Sequence, residues 1–194
     1  MHSPTWDGEG TFERLEAIGR PTVLFAPNHF HHLSLPRFRQ KWPDAPVIAS
    51  TGARPRLQKQ GHQNLAPLEA AATLLPAGVS FVEPPGLKNG EAWLTVDGEG
   101  GRTWIVCDAF FNQVRPVRGF MGIGLRWAKI IPGLSIGQPF RWFGIRDEPV
   151  YRAWLLDRLR AERPRRLIVS HGEPLIGDEV ADRMIAVVEH RLRG

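Results

Sequence analysis

Cysteine, lysine and long apolar runs are all scarce in this chain of 194 residues. The single cysteine, Cys107, excludes an intrachain disulfide, and its place in the apolar run TWIVCD predicts a small buried side chain. No run approaches the roughly 18 apolar residues that a membrane-spanning helix needs, so we predict no membrane partner. The opening stretch MHSPTWDGEG lacks the basic and apolar parts of a secretory signal peptide. We therefore expect a cytoplasmic protein.

Lysine is scarce because arginine supplies most of the 25 basic residues, which outnumber the 20 acidic residues and give a net charge of +5. A nucleic-acid-binding protein needs basic residues clustered on one face, together with aromatic side chains that stack on bases. The densest basic stretch, RLRAERPRR at 158–166, includes an acidic residue and fits the end of a helix better. We therefore predict no nucleic-acid partner.

The composition is that of an ordinary globular protein, with 42% hydrophobic and 23% charged residues. Apolar runs of strand length alternate with helical patterns along the whole chain. The predicted strands lie at 20–27, 45–50, 78–86 and 165–174, with a β-hairpin at 91–108 that turns at DGEGG. The predicted helices lie at 11–19, 33–43, 150–162 and 177–194, with a short helix or loop at 51–65. This order predicts one α/β domain spanning residues 1–194.

Residues 112–150 differ in composition, because glycine, proline and bulky apolar residues dominate and no period persists. The segment lies between Asp108 and the predicted helix that precedes His171, so it can fold over a site at these residues. Its aromatic side chains either line a pocket or pack as a cover or dimer surface, and we favour packing; they are Trp127, Phe140, Trp142 and Phe143. Its arginines can meet an anionic substrate, although solvated arginine is commoner; they are Arg115, Arg118, Arg141 and Arg146.

Three of the seven histidines, His29, His31 and His32, lie within four positions directly after the apolar run TVLFA. A packed core does not need this arrangement, because imidazole nitrogens require hydrogen-bond partners when buried. Two further apolar strands end in residues that bind metals, Asp108 after TWIVC and His171 after RLIVS. Sites in layered α/β folds gather beyond strand ends. The three strand ends together therefore favour a metal site.

Imidazole nitrogen and carboxylate oxygen suit zinc, iron or manganese. An ion held in this way lowers the pKa of a bound water to about 7, which makes hydroxide available at neutral pH. Taken singly, Asp108 also fits a residue that caps the next segment, and His171 also fits a hydrogen-bonded turn residue. The remaining histidines, His2, His62 and His190, lack comparable support, and we interpret them as surface residues.

The order of these parts resembles the metallo-β-lactamase-like hydrolase superfamily over nearly the whole chain. It is most similar to a divergent group that carries apN.fHH, a strand-final aspartate and HGE. The resemblance implies a four-layer αβ/βα sandwich. Members of the superfamily generally carry additional N-terminal strands, so the resemblance also implies a shortened N-terminal half. A sheet edge left open there would allow a homodimer.

The superfamily motif T-H-x-H-x-D-H follows a strand, as the histidine cluster does here. With its last histidine on His32, its second histidine falls on His29 and its aspartate on His31. The first histidine of the motif falls on Pro27, which has no ligand atom in its side chain.

Two further motifs complete the comparison. The superfamily sequence P-G-H-T-x-G corresponds to PPGLKNGE, with Leu87 in the histidine position. The bridging carboxylate falls on Asp108 and the final histidine on His171. The resemblance then implies one ion rather than two, with His29 as a fifth ligand or an outer hydrogen-bonding partner. The implied ligands are His31, His32, Asp108 and His171.

The activity implied by the resemblance is metal-dependent hydrolysis, in which metal-bound hydroxide attacks the carbonyl of a small ester, lactone or thioester. The expected cofactor is one divalent ion, zinc in preference to iron or manganese, and the expected partner is a small-molecule substrate. Asp108 and His31 are the expected catalytic residues, with His31 as a ligand or proton acceptor. The alternative is a non-catalytic relative that binds a metal or ligand, which the losses at Pro27 and Leu87 favour.

Overall fold

The structure, a computed structural model, describes residues 1–114, 124, 127 and 132–193. Within these residues, the α-helices are Thr11–Ile18 (α1), Leu35–Lys41 (α2), Arg54–Lys59 (α3), Glu148–Glu162 (α4) and Val180–Arg191 (α5). The strands are Leu24–Ala26 (β1), Val47–Ala49 (β2), Leu65–Ala66 (β3), Val79–Val82 (β4), Trp93–Val96 (β5), Thr103–Val106 (β6), Phe111–Gln113 (β7), Gly133–Ser135 (β8), Arg166–Val169 (β9) and Leu175–Ile176 (β10). A 3₁₀-helix spans Leu68–Leu74 and a π-helical turn spans Phe140–Gly144.

The first sheet contains three parallel strands in the order β1–β2–β3. Every residue of β1 and β2 is buried, as expected of parallel strands that are covered on both faces. Leu24 on one face packs in a cluster with Phe38 of α2, which buries one side of that helix. Phe25 and Ile48 on the other face pack with Leu68 of the 3₁₀-helix. The sheet therefore forms a layer between two helical segments.

The second sheet has five strands in the order β10–β9–β6–β5–β4. The β5–β6 hairpin turns where DGEGG predicts it, and it buries Trp93 and Trp104 completely in the core that contains α4 and α5. Strand β6 is antiparallel to β5 but parallel to β9, with Val106 opposite Val169. Because these two strands run in the same direction, the residues that follow them emerge at the same edge of the sheet.

A third, two-stranded sheet joins β7 to β8 directly after that edge. The backbone of Asn112 in β7 also pairs with Gly172, which follows β9. The loops after β6 and β9 are thus tied to each other as well as to their own strands. Arg115 and Arg118 of the predicted insertion lie outside the described residues. Arg141, which we considered as a contact for an anionic substrate, instead forms an ion pair with Glu148.

Residues 1–3 lie along the outer edge of β1. The backbone N–H of Phe25 donates to the carbonyl of Met1 (2.8 Å), and the N–H of Ser3 donates to the carbonyl of Phe25 (3.0 Å). The edge that we expected to be open is therefore covered by the chain itself. His2, which we predicted to be a surface residue, is half-buried, and its ring packs edge-on against Phe25. Burial and the nearby charge of His31 lower the pKa of His2 to about 3.

Among the described residues, no helix combines the length and the apolar character needed to cross a bilayer.

Gly90 lies where the two larger sheets approach each other, and it provides a test of this packing. Its φ angle is +66°, and a Cβ there would lie 2.1 Å from the backbone nitrogen of Ala53. We expect Gly90→Ala to lower the free energy of unfolding by about 2 kcal/mol or more, from backbone strain and this clash. Gly98→Ala is the matched control, because a Cβ at Gly98 meets open space. Equal urea midpoints for the two variants would show that this contact contributes nothing.

Candidate metal centre

Three predicted ligand residues, His31, Asp108 and His171, meet in one cluster. Nε2 of His31 lies 3.2 Å from Oδ1 of Asp108, and Nε2 of His171 lies 2.9 Å from the same oxygen. One ligand atom from each residue lies within 4.8 Å of the other two. Two imidazole nitrogens and one carboxylate oxygen at this spacing form a donor set that fits a single zinc, iron or manganese ion.

His171 reaches the cluster through the pairing of the two parallel strands. Asp108 and His171 each lie two residues beyond the paired residues Val106 and Val169. The carbonyl of His171 accepts a hydrogen bond from the N–H of Asn112 (3.1 Å), and the ring of Phe111 stacks on the imidazole at 5.0 Å. Backbone and ring contacts thus fix both the position and the orientation of His171.

His31 is held from two sides. The side-chain oxygen of Asn28 accepts from the backbone N–H groups of Phe30 (2.8 Å) and His31 (3.2 Å), which closes the turn after β1. The hydroxyl of Ser3 lies 2.8 Å from Nδ1 of His31. A serine hydroxyl both donates and accepts, so it can hold the ring in either tautomer while Nε2 faces Asp108. Partners of this kind orient metal-ligating histidines.

The carboxylate of Asp108 is oriented through both oxygens. Oδ1 contacts the two imidazoles, and Oδ2 accepts from the side-chain amide of Asn28 (2.7 Å). Burial alone would raise the pKa of Asp108, but hydrogen bonds from His171 and His31 outweigh burial and hold that pKa well below its usual range. For His31, burial alone would lower the pKa, but the hydrogen bond with Asp108 outweighs burial and raises it.

A fully buried carboxylate, Glu91, shapes the loop that carries Asp108. Its Oε1 accepts from the backbone N–H groups of Cys107 and Ala109 (3.1 Å each) and from the indole of Trp93 (2.9 Å). Its Oε2 accepts from the backbone N–H of Asp108 (3.0 Å). One side chain thus satisfies three consecutive amides after β6, which otherwise would be buried without partners.

The sequence reasoning missed Glu91, Asn28 and Ser3. The only local signal for Glu91 is a charged residue directly before a buried strand. Burial and the negative charge of Asp108 raise the pKa of Glu91 to about 7, against the lowering effect of its N–H donors.

His32 does not join the cluster and pairs with another histidine. Its Nδ1 lies 2.8 Å from Nε2 of His62, with the two rings nearly perpendicular at 77°. Burial lowers the pKa of both histidines; the charge of His31 lowers that of His32 further, and the charge of His32 lowers that of His62 further. The predicted surface position of His62 is therefore wrong, because only 7% of this residue is exposed. Its sequence neighbourhood, QGHQNL, is polar and gives no indication of burial.

His29 also lies outside the cluster of described ligand atoms. It is buried, and it lines a separate cavity together with basic side chains. Burial and the charge of Arg56 lower its pKa. The roles of His29 and His32 as metal ligands thus remain predictions without support from this geometry.

An apolar cavity of about 250 Å³ adjoins the cluster. His31 and Asp108 contribute to its lining, and the rings of Phe30, Phe111 and Phe143 form much of the rest. Of the aromatic residues singled out in 112–150, Phe140 is buried beside this cavity, whereas Trp127 and Trp142 are exposed and pack edge-to-face against each other. The cavity provides room for an apolar group next to the candidate ligands.

Neither a family model nor a curated protein sequence matches the chain. Its structure, however, is similar to solved metallo-β-lactamase structures. A metallo-β-lactamase from Pontibacter korlensis superimposes with a TM-score of 0.60 at 11% identity, over 96% of this chain and 80% of that one. The DIM-1 metallo-β-lactamase gives a TM-score of 0.54 at 10% identity, over 95% and 77%. TTHA1623 in a di-iron-bound form gives 0.55 at 15% identity, over 90% and 82%.

These similarities show that the chain has the metallo-β-lactamase fold, a mixed α/β sandwich, as the sequence motifs predicted.

Replacing Glu91 tests its role in the Asp108 loop. Glu91→Gln keeps the size of the side chain but turns one acceptor into a donor that faces N–H groups. We expect a loss of about 2 kcal/mol in the free energy of unfolding, measured by urea denaturation. The exposed Glu69→Gln serves as a control and is expected to change this free energy by less than about 0.5 kcal/mol.

The difference in free energy of unfolding between wild type and Glu91→Gln should depend on pH, which gives a second test. Because the pKa of Glu91 in the folded protein, about 7, lies above its ordinary value of 4.5, its stabilising contribution is fully present below pH 4.5 and declines as the pH rises to about 7. The stability gap between wild type and Glu91→Gln should narrow over this range. A gap that widens with pH would contradict the assignment.

Proposed function

We propose that this protein is a metal-dependent hydrolase of small esters, lactones or thioesters. The observation that carries the proposal is the convergence of His31, Asp108 and His171 beside an apolar cavity in a metallo-β-lactamase fold. One divalent ion is the proposed cofactor, with zinc as the first choice and iron or manganese as alternatives. The predicted cytoplasmic location and homodimer stay predictions.

The three side chains of the cluster would hold the ion through two imidazole nitrogens and one carboxylate oxygen. Such an ion polarises a carbonyl group and lowers the pKa of a coordinated water to about 7. Three protein ligands leave further coordination positions open, which is the pattern of catalytic rather than structural sites. His32 is absent from this ligand set, because the structure pairs it with His62.

The surrounding residues have separate tasks in this proposal. Ser3 orients the side chain of His31, and Asn28 orients that of Asp108, so that the ligand atoms are positioned before an ion binds. The rings of Phe30, Phe111 and Phe143 would take up the apolar part of a substrate and exclude water from its reacting carbonyl. Asp108 stays ionised because the imidazoles lower its pKa, so it can balance positive charge in the cluster.

Metal content tests the ligand assignment directly. Protein purified without added metal should contain close to one equivalent of a divalent ion, measured by elemental analysis. His31→Ala, Asp108→Ala and His171→Ala should each lose it, whereas the exposed His190→Ala should retain it. If His32→Ala retains the metal, the ligands are those of the cluster and do not include His32, which the sequence resemblance implies as a ligand. Loss of metal in His32→Ala with retention in His31→Ala would overturn the assignment.

Turnover of a substrate panel tests the activity. We expect hydrolysis of an aryl ester, a lactone or an acyl thioester to be lost in Asp108→Ala together with the ion. The exposed Asp157→Ala is the matched control and should keep wild-type kcat/KM. Ser3→Ala should weaken metal affinity by roughly tenfold, since it removes only an outer hydrogen bond.

A second candidate function is a non-catalytic module that binds a metal or ligand. It is favoured by the small ligand set, which among the described residues contains a single carboxylate. A protein that retains one equivalent of metal but turns over no member of the panel would support this alternative over the hydrolase.

A further inference from the structure

A second cavity, of about 480 Å³, lies beside the candidate metal centre and has a different lining. Arg56 and Lys59 reach it from α3, and Lys88 reaches it from the segment before β5. The buried residue His29 also lines it. Three cationic side chains from two separate segments thus surround one space.

This cavity brings three cationic residues together in one lining. Its described lining contains no aspartate or glutamate. Elsewhere in the described chain, basic residues commonly pair with acids, as Arg102 does with Asp97 and Arg163 with Asp182. The ion pairs among the described residues do not include Arg56, Lys59 or Lys88. Clefts lined by charge of one sign concentrate ligands of the opposite sign.

Backbone contacts hold together the segments that carry these cationic residues. The segments that carry them touch closely, since a Cβ built on Gly52 would lie 2.9 Å from Cα of Gly90. The N–H of Lys88 donates to the carbonyl of Gly144 (2.7 Å), which fixes the other side of the cavity. Arg56, Lys59 and Lys88 are themselves exposed, so an anion from solvent can reach all three, and its charge would offset theirs.

We propose that this cavity binds a phosphate-type oxyanion carried by a small molecule. Three cations around one space match the charge of a phosphate group. A nucleic-acid interface would add large aromatic rings for base stacking, and the described lining contains no phenylalanine, tyrosine or tryptophan.

The oxyanion site is separate from the metal centre. Phe30 lines the apolar cavity at the cluster, whereas its neighbour His29 lines the basic cavity. Likewise, Asn89 lines the apolar cavity, whereas its neighbour Lys88 lines the basic cavity. The two described linings share no residue, so an anion can bind in the basic cavity without touching His31 or Asp108.

Calorimetric titration with inorganic phosphate tests the proposal. We expect saturable binding of one equivalent, tighter than that of acetate, and unchanged after treatment of the protein with a chelator. Lys88→Ala and Arg56→Ala should each weaken it by about tenfold or more, because each removes a charged hydrogen-bond donor. Arg183→Ala, on the exposed face of α5, is the matched control and should bind phosphate as wild type does.

Three outcomes would overturn the proposal. The first is the absence of saturable phosphate binding. The second is binding that the chelator abolishes and that Lys88→Ala leaves unchanged, which would place phosphate on the metal ion. The third is tighter binding of a single-stranded oligonucleotide than of phosphate, with the same variants weakening it. Because the expected binding survives removal of metal, its failure is distinguishable from failure of the hydrolase proposal.

Discussion

The candidate site depends on the hydrogen bonds that the carboxyl group of Glu91 accepts. This group accepts hydrogen bonds from the backbone N–H groups of residues 107–109, directly after β6, and these bonds fix the direction of the chain at Asp108. Asp108 then faces two imidazoles, and Asn28 holds its other oxygen. A buried carboxyl group is costly unless hydrogen bonds satisfy it. The donors around Glu91 are supplied by backbone that must turn at this point in any case, so one side chain supports both the turn and the site.

The fold was predictable because its signals are local and repeated. Apolar strands at 20–27 and 45–50, the hairpin turn at DGEGG and the two C-terminal helices all appear close to their predicted positions. The missed elements are β3, β7, β8, β10, the 3₁₀-helix and the π-helical turn, none of which exceeds seven residues. Hydrophobic periodicity carries little information over two or three residues.

The candidate site was predictable in part, for a related reason. Asp108 and His171 follow apolar strands, and their proximity follows once β6 and β9 are parallel neighbours. Sequence does not reveal which of three closely spaced histidines turns toward them. That choice depends on Asn28, which closes the turn after β1, and on His62, which engages His32 from a polar stretch. The family resemblance implies both His31 and His32 as ligands, whereas the contacts in the structure bring His31 to Asp108 and His32 to His62.

The hydrogen bond between Ser3 and His31 links the beginning of the chain to a cluster completed at His171. The contacts along this route span separations of 28, 77 and 63 residues. His31 follows a strand of the first sheet, whereas Asp108 and His171 follow strands of the second, so the full set of candidate ligands meets only when both large sheets have formed. An ion held here would therefore be linked to the global folding equilibrium, and it would stabilise the whole molecule by mass action rather than one loop. Occupancy of the cluster would then report completed folding.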